Sequence, residues 1–241
     1  MRYAICFALV LIGCVNDRPP RIVTGKPPAA VSNARADMVT VFPDATCANP
    51  NAGKYFGTGF FTDSRTIVTA AHFYEQGLPK NARLAVFDRD KKCRDATVSA
   101  FSQTLDLMKL TVSPAPGRGL PLGKKNPTSG ERVFVLSLNP PKMNKFLPIE
   151  TRAYSKTEQS DSDQTANPWT APHFISSRVT RPGDSGAPVV NERGEVVGMV
   201  LGGHTNCKHS ACKPVAMPDK YPNHNVYVGA PAIRRFLKSN P

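Results

Sequence analysis

Apolar residues along this chain come in short runs rich in β-branched and aromatic side chains, and Gly, Pro, Asn or Asp interrupts each run at its ends. That pattern predicts strands rather than helices. A first set of runs lies at 38–42, 59–62, 66–70, 83–87, 97–101 and 105–112. A stretch rich in Pro, Gly and Lys at 113–126 reads as a connection between two lobes. A second set follows at 132–138, 173–179, 187–190, 195–201 and 225–228. The tail breaks the pattern: Ile233, Phe236 and Leu237 recur at helical spacing, which predicts a C-terminal helix over 231–239. Residues 15–36 and 155–167 lack apolar periodicity and read as an exposed leader and a polar loop. The expectation is an all-β chain with lobes at 37–117 and 118–241.

The first residues carry an address rather than a fold. Arg2 precedes an apolar run over residues 4–13, too short to span a bilayer and typical of a secretory signal. The signal ends at Leu11-Ile12-Gly13-Cys14, which resembles the lipobox of bacterial lipoproteins. That resemblance implies acylation of Cys14 and membrane attachment; ordinary signal cleavage is the alternative, and both give an exported protein. Export permits disulfides. Setting Cys6 and Cys14 aside with the signal leaves Cys47, Cys93, Cys207 and Cys212. Three pairings of four are possible. Proximity favours Cys207 with Cys212, which leaves Cys47 with Cys93. The net charge of +13 comes from basic residues scattered among others, not from a block. It describes a basic surface and argues against a dedicated nucleic-acid site.

Three segments carry candidate chemistry. In Gly183-Asp184-Ser185-Gly186, small residues let the backbone turn tightly around a hydroxyl and aim N–H groups at one spot, where an oxyanion can sit. A serine hydroxyl needs a base to become a nucleophile. His72 supplies one, directly after the strand-like run 66–70 and the small residues Ala70 and Ala71. Asp106 lies in the apolar run 105–110, where an unpaired carboxylate would be costly and an imidazole N–H would satisfy it.

The order His, Asp, Ser in these contexts resembles the trypsin/chymotrypsin family of serine proteases. Thr69-Ala70-Ala71-His72, Asp106-Leu107-x-x-Leu110 and Gly183-Asp184-Ser185-Gly186 carry the resemblance. Gly57-Thr58-Gly59-Phe60, the run 185–191 and Gly194-Glu195-Val196-Val197-Gly198 place it nearest the bacterial branch that includes the glutamyl endopeptidases. The resemblance implies two packed antiparallel six-stranded β-barrels with a C-terminal helix. It implies His72, Asp106 and Ser185 as the triad, an oxyanion hole from the N–H groups of Gly183 and Ser185, and no metal or cofactor. Partners would be protein or peptide substrates, acted on by a monomer.

By the same resemblance, Val179, Thr180, Val200 and Gly202 line the pocket for P1, the residue before the scissile bond. Neither Val179 nor Val200 offers a charged P1 residue a partner, so an uncharged P1 is expected, unless Arg178, Arg181 or His204 reaches in. Arg21-Ile22-Val23-Thr24-Gly25 resembles the activation site of trypsin-like zymogens. Cleavage there would free an amine at Ile22 to pair with Asp184. Two competing expectations stand beside these. One is a catalytically silent binding protein on the same fold. The other is zinc held by His204, Cys207, His209 and Cys212 instead of a disulfide loop.

Overall fold

In a computed structural model of the chain, the described residues are 21–22, 26–50, 56–74, 79, 82–113, 118–139, 145–155, 173–177, 180–203 and 224–241. Cys14, Val179, Cys207 and Cys212, together with Arg178, His204 and His209, lie outside them.

Six strands close the first barrel: β2 (Met38–Pro43), β3 (Gly57–Phe61), β4 (Thr66–Thr69), β5 (Leu84–Phe87), β6 (Cys93–Ser102) and β7 (Leu107–Thr111). They close in the order β2-β3-β4-β7-β6-β5, all antiparallel. The second barrel uses β8 (Arg132–Asn139), β9 (Lys145–Ser155), β10 (His173–Ser177), β11 (Pro188–Val190), β12 (Val196–Gly203) and β13 (His224–Gly229). Their order is β9-β10-β13-β12-β11-β8, and β8 pairs back onto β9 to close the ring. A two-residue strand, β1 (Arg21–Ile22), adds to β9 opposite Glu150 and Ile149.

Side chains alternate along a strand. Here both faces of several strands are buried, which is why the runs read as nearly continuous. Val39, Val41, Phe61, Ile67, Met108 and Leu110 fill the first barrel. The second is filled by Val133, Val135, Phe174, Val189, Val200 and Tyr227. The opposite faces meet between the barrels, where Met38, Phe60, Val68 and Leu107 join Phe134, Leu136, Met199 and Val228 in one cluster. Helix α2 (Ala230–Ser239) seats Ile233 and Phe236 in that cluster, with Pro231 in its first turn where no intrahelical N–H is needed. Lys109 Nζ on β7 donates to the Asn240 carbonyl at 2.7 Å, tying the tail to the first barrel.

Two expectations need correction. The segment read as an exposed leader contains helix α1 (Ala29–Asn33), and Val31 and Ala34 are buried in the inter-barrel cluster. So few apolar residues give no periodicity, yet each finds a place once both barrels are present. The sequence also missed β9, because its polar residues and Pro148 argue against a strand. Pro148 is buried opposite Leu136 within the β8–β9 pairing.

Cys47 and Cys93 are bonded, with Cα atoms 5.6 Å apart, so this pairing is as expected. The Cys47 N–H also donates to Asp95 Oδ1 at 2.7 Å, pinning the loop after β2 against β6.

Candidate active site

Strand β4 ends at Thr69, and Ala70 and Ala71, both fully buried, carry the chain into a 3-10 turn that begins at His72. The His72 ring packs edge-on against Phe73 at 5.3 Å between centroids. Its Nδ1 lies 2.6 Å from Asp106 Oδ2. The Asp106 carboxylate is buried, and its other oxygen accepts the N–H groups of Ala71 at 2.8 Å and His72 at 2.7 Å. Two backbone donors and an imidazole therefore hold one carboxylate on the segment that carries His72. With Nδ1 facing Asp106, Nε2 is left for other chemistry.

Asp106 does not sit within an apolar strand as expected. It closes the turn before β7 at a left-handed φ of 52°, with its N–H donating to Gln103 O at 3.2 Å. Asp tolerates that conformation better than most residues. The turn aims the carboxylate back at β4 rather than across the sheet.

Ser185 comes from the second barrel, on the tight turn between residue 180 and β11. The first barrel grips that turn at several points. Thr58 N–H donates to the Ser185 carbonyl at 2.8 Å, and Thr58 Oγ1 donates to the Gly183 carbonyl at 2.8 Å. Thr69 Oγ1 in turn donates to Thr58 O at 2.7 Å. Gly186 has φ +84°, and a Cβ there would stand 2.0 Å from Thr58 O and 2.5 Å from Thr69 Oγ1. The turn is thus pressed against the end of β4, the strand that delivers His72. Ser185 itself is half-buried.

Gly183 has φ +95°, and its missing side chain leaves space taken by the Phe56 ring. Among the described residues, the N–H groups of Gly183 and Ser185 meet no acceptor. Asp184 between them is buried. Its carboxylate accepts from Ser137 Oγ on β8 at 2.5 Å and from Arg181 N–H at 2.8 Å. Burial pushes the Asp184 carboxyl above its ordinary value, against the lowering effect of those two hydrogen bonds.

The pocket candidates separate. Val200 is fully buried in the second barrel's cluster. Thr180 and Gly202 are half-buried. Both are bonded to Asn225, a fully buried residue of β13 that sequence reasoning missed. Thr58, Thr69 and Ser137 were missed as well. Thr58 lies in Gly57-Thr58-Gly59-Phe60, Thr69 in Thr69-Ala70-Ala71-His72 and Ser137 in the strand-like run 132–138, but no local signal marks their partners. No group of three or more His, Cys, Asp or Glu able to hold a metal occurs among the described residues.

The family model of the trypsin-like peptidase domain matches residues 57–199. Among solved structures, the active form of the Rv3671c protease from M. tuberculosis superposes with a TM-score of 0.63 at 20% identity, covering 99% of this chain and 94% of that one. Its inactive form gives 0.61 at 20% identity over 88% and 93%. A serine endoprotease from Yersinia pestis gives 0.59 at 15% identity, over 87% of this chain and 64% of that one. At these identities the likeness is one of fold. No curated protein sequence matches the chain.

Proposed function

Because the chain belongs to the trypsin-like peptidase family, we propose that it is a serine endopeptidase whose triad is Ser185, His72 and Asp106. Ser185 Oγ attacks the scissile carbonyl as His72 Nε2 takes its proton. The carbonyl oxygen becomes an oxyanion, which the Gly183 and Ser185 N–H groups receive. His72 then returns the proton to the leaving amine, the C–N bond breaks, and an acyl-enzyme remains on Ser185. Water, deprotonated by His72, releases the acid. Asp106 orients the imidazole and stabilises its charged form throughout.

One observation carries this reading. Asp106 is 4% exposed, and it spends one oxygen on two backbone N–H groups and the other on His72 Nδ1. A buried carboxylate arranged in this way fixes one tautomer and one orientation of the ring, and a merely structural histidine needs neither. The P1 residue is uncharged in this proposal, since Val200, assigned to the P1 pocket by resemblance to the family, offers a charged side chain no partner.

The test is labelling with a fluorophosphonate, together with peptide hydrolysis by wild type and by Ser185→Ala, His72→Ala and Asp106→Asn. Labelling of wild type alone, and losses of about 10⁴-fold or more in kcat for the variants, are expected. A wild type that neither labels nor cleaves, yet binds peptides, would make the chain a silent binding protein. We also propose that the protein is exported by residues 1–14, with Cys14 either acylated or removed with the signal. The N-terminal mass of the mature protein decides between the two.

A further inference from the structure

We infer that the basic groove between the 3-10 turn Ala34–Asp37 and the β5–β6 turn is an exosite, which holds an acidic stretch of the substrate a few residues away from the scissile bond. The inference rests on the endopeptidase reading above, and its residues lie outside the catalytic site.

The groove has a volume of about 520 Å³. Ser32 and Asn33 at the end of α1, with Arg35 and Ala36, line one side, and Arg89 and Asp90 line the other. A narrower recess adjoins it. The recess shares Arg35 and Arg89 and adds Phe87, Lys91 and, from the second barrel, Leu138. Arg35 lies over the Phe146 ring at 5.9 Å, and Phe146 pairs with Leu138 across β8 and β9. Arg89 and Lys91 are exposed. Two carboxylates stand nearby. Asp88 is committed to its own turn: Oδ1 accepts the N–H groups of Asp90 at 3.0 Å and Lys92 at 2.9 Å, and Oδ2 faces Arg94 at 3.5 Å. Asp90 meets Arg89 at 3.5 Å, but both side chains are more than half exposed, and such a pair is weak. Three basic side chains therefore meet one loosely held carboxylate, and the field in the groove is positive.

A row of half-buried rings leads from the nucleophile turn to this groove. Phe56 fills the space beside Gly183. Phe42 lies 6.2 Å from Phe56 and 5.5 Å from Phe87 between centroids, and Phe87 walls the recess. Strand β2 explains the line. Val39 and Val41 point into the first barrel, so Met38, Thr40 and Phe42 point out of it, and Thr40 walls the recess as well. From Phe56 to Phe87 the row spans at most about 12 Å, roughly four residues of extended chain at about 3.3 Å each.

Chemistry then sets the class of partner. The planar forks of Arg35 and Arg89 match carboxylates, and Lys91 adds a point charge, so the groove takes Asp or Glu side chains. Past the rings, their place in the substrate is about the fifth to seventh residue from the scissile bond. A lipid phosphate would satisfy the same cations but would make no use of the rings that join the groove to the turn of Ser185. The net charge of +13 draws acidic proteins from a distance, and the groove gives that attraction a register.

The test uses three internally quenched peptides with one neutral cleavage sequence. One is neutral throughout, and the others carry Glu-Asp-Glu at about the fifth to seventh position before or after the scissile bond. Wild type is expected to cleave one of the two acidic peptides about 3- to 10-fold better than the neutral one in kcat/KM, the scale of two or three exposed ion pairs. The gain should lie in KM, because the groove touches no reacting atom. Arg89→Gln with Lys91→Gln is expected to bring that ratio below about 2-fold. Lys124→Gln with Lys125→Gln removes the same charge elsewhere and should leave the ratio as it was. Both lysines are exposed, and Lys124 acts on Glu195 beside the β11–β12 turn, whose Glu192 pairs with Arg132 at the opposite end of β8 from Leu138. Fluorophosphonate labelling of Ser185 and sedimentation with phosphatidylglycerol vesicles are measured on every variant. A labelled wild type that cleaves all three peptides equally overturns this inference alone. Equal gains from both acidic peptides, or equal losses in the two double variants, would reveal general charge attraction and overturn it too. Vesicle binding lost in Arg89→Gln with Lys91→Gln, with the peptide ratio unaltered, would make the groove a lipid site and overturn it as well. An unlabelled wild type overturns the endopeptidase reading itself.

Discussion

Replacing Gly186 with Ala should separate two costs that a glycine can hide. The first is conformational: at φ +84° an L-residue pays about 1–2 kcal/mol. The second is steric. The new Cβ would lie 2.0 Å from the Thr58 carbonyl oxygen and 2.5 Å from Thr69 Oγ1, and the nearer of these is backbone in a fully buried strand. Relief requires the nucleophile turn to back away from the first barrel. That movement stretches Thr58 N–H to Ser185 O at 2.8 Å, Thr58 Oγ1 to Gly183 O at 2.8 Å and Gly186 N–H to Val200 O at 2.9 Å. At about 1 kcal/mol for each hydrogen bond, the variant should lose roughly 3–5 kcal/mol in all. Gly130→Ala supplies the control, since Gly130 has φ +83° and nothing within 4 Å of an added Cβ. Urea denaturation should show a loss of about 1–2 kcal/mol for Gly130→Ala, the conformational cost alone. Activity should be retained in that variant and should collapse in Gly186→Ala, chiefly through kcat, as Ser185 moves away from His72. Equal losses of stability in the two variants would refute the claim that the first barrel grips the turn.

The Cys47–Cys93 bond closes a loop with a sequence separation of 46, so Cys93→Ser should cost about 4 kcal/mol by chain entropy, read as a lowered urea midpoint; an unchanged midpoint would contradict this. The raised Asp184 carboxyl means that the folded state holds its proton more tightly than the unfolded chain. Its contribution to stability is full below the ordinary carboxylate range and is lost as pH rises through the raised value. Asp184→Asn should therefore flatten the pH dependence of the urea midpoint across that window, and an identical slope in both proteins would exclude the effect. If a free amine at Ile22 pairs with Asp184, a chain beginning at Ile22 should be more active than one carrying an extra N-terminal residue. Equal rates would dismiss activation by cleavage and leave Ser137 as the side-chain partner of Asp184.

What the sequence revealed and what it withheld divide along a physical line. Strand-like runs were visible wherever both faces of a strand are buried, as at Phe60-Phe61 and Ile67-Val68, because two apolar surfaces leave an uninterrupted signature. β9 was invisible because its place is fixed by pairing with β8, β10 and β1 rather than by an apolar pattern. The contexts of His72, Asp106 and Ser185 were legible because each combines a reactive group with local residues that only a tight backbone explains. Asp106 was nonetheless misplaced, since a turn at positive φ and the start of an apolar strand look alike when they adjoin. The residues that assemble the site carry no such mark. Thr58 reaches Gly183 across 125 positions, Ser137 reaches Asp184 across 47, and Asn225 reaches Thr180 across 45. In one dimension each is an ordinary polar residue that could as well have faced solvent. Its role arises only when a second strand places a partner opposite it, and burial then makes that partner obligatory. Local chemistry is therefore written along the chain, whereas the specificity and positioning of the site are written in pairings that only the closed barrels bring together.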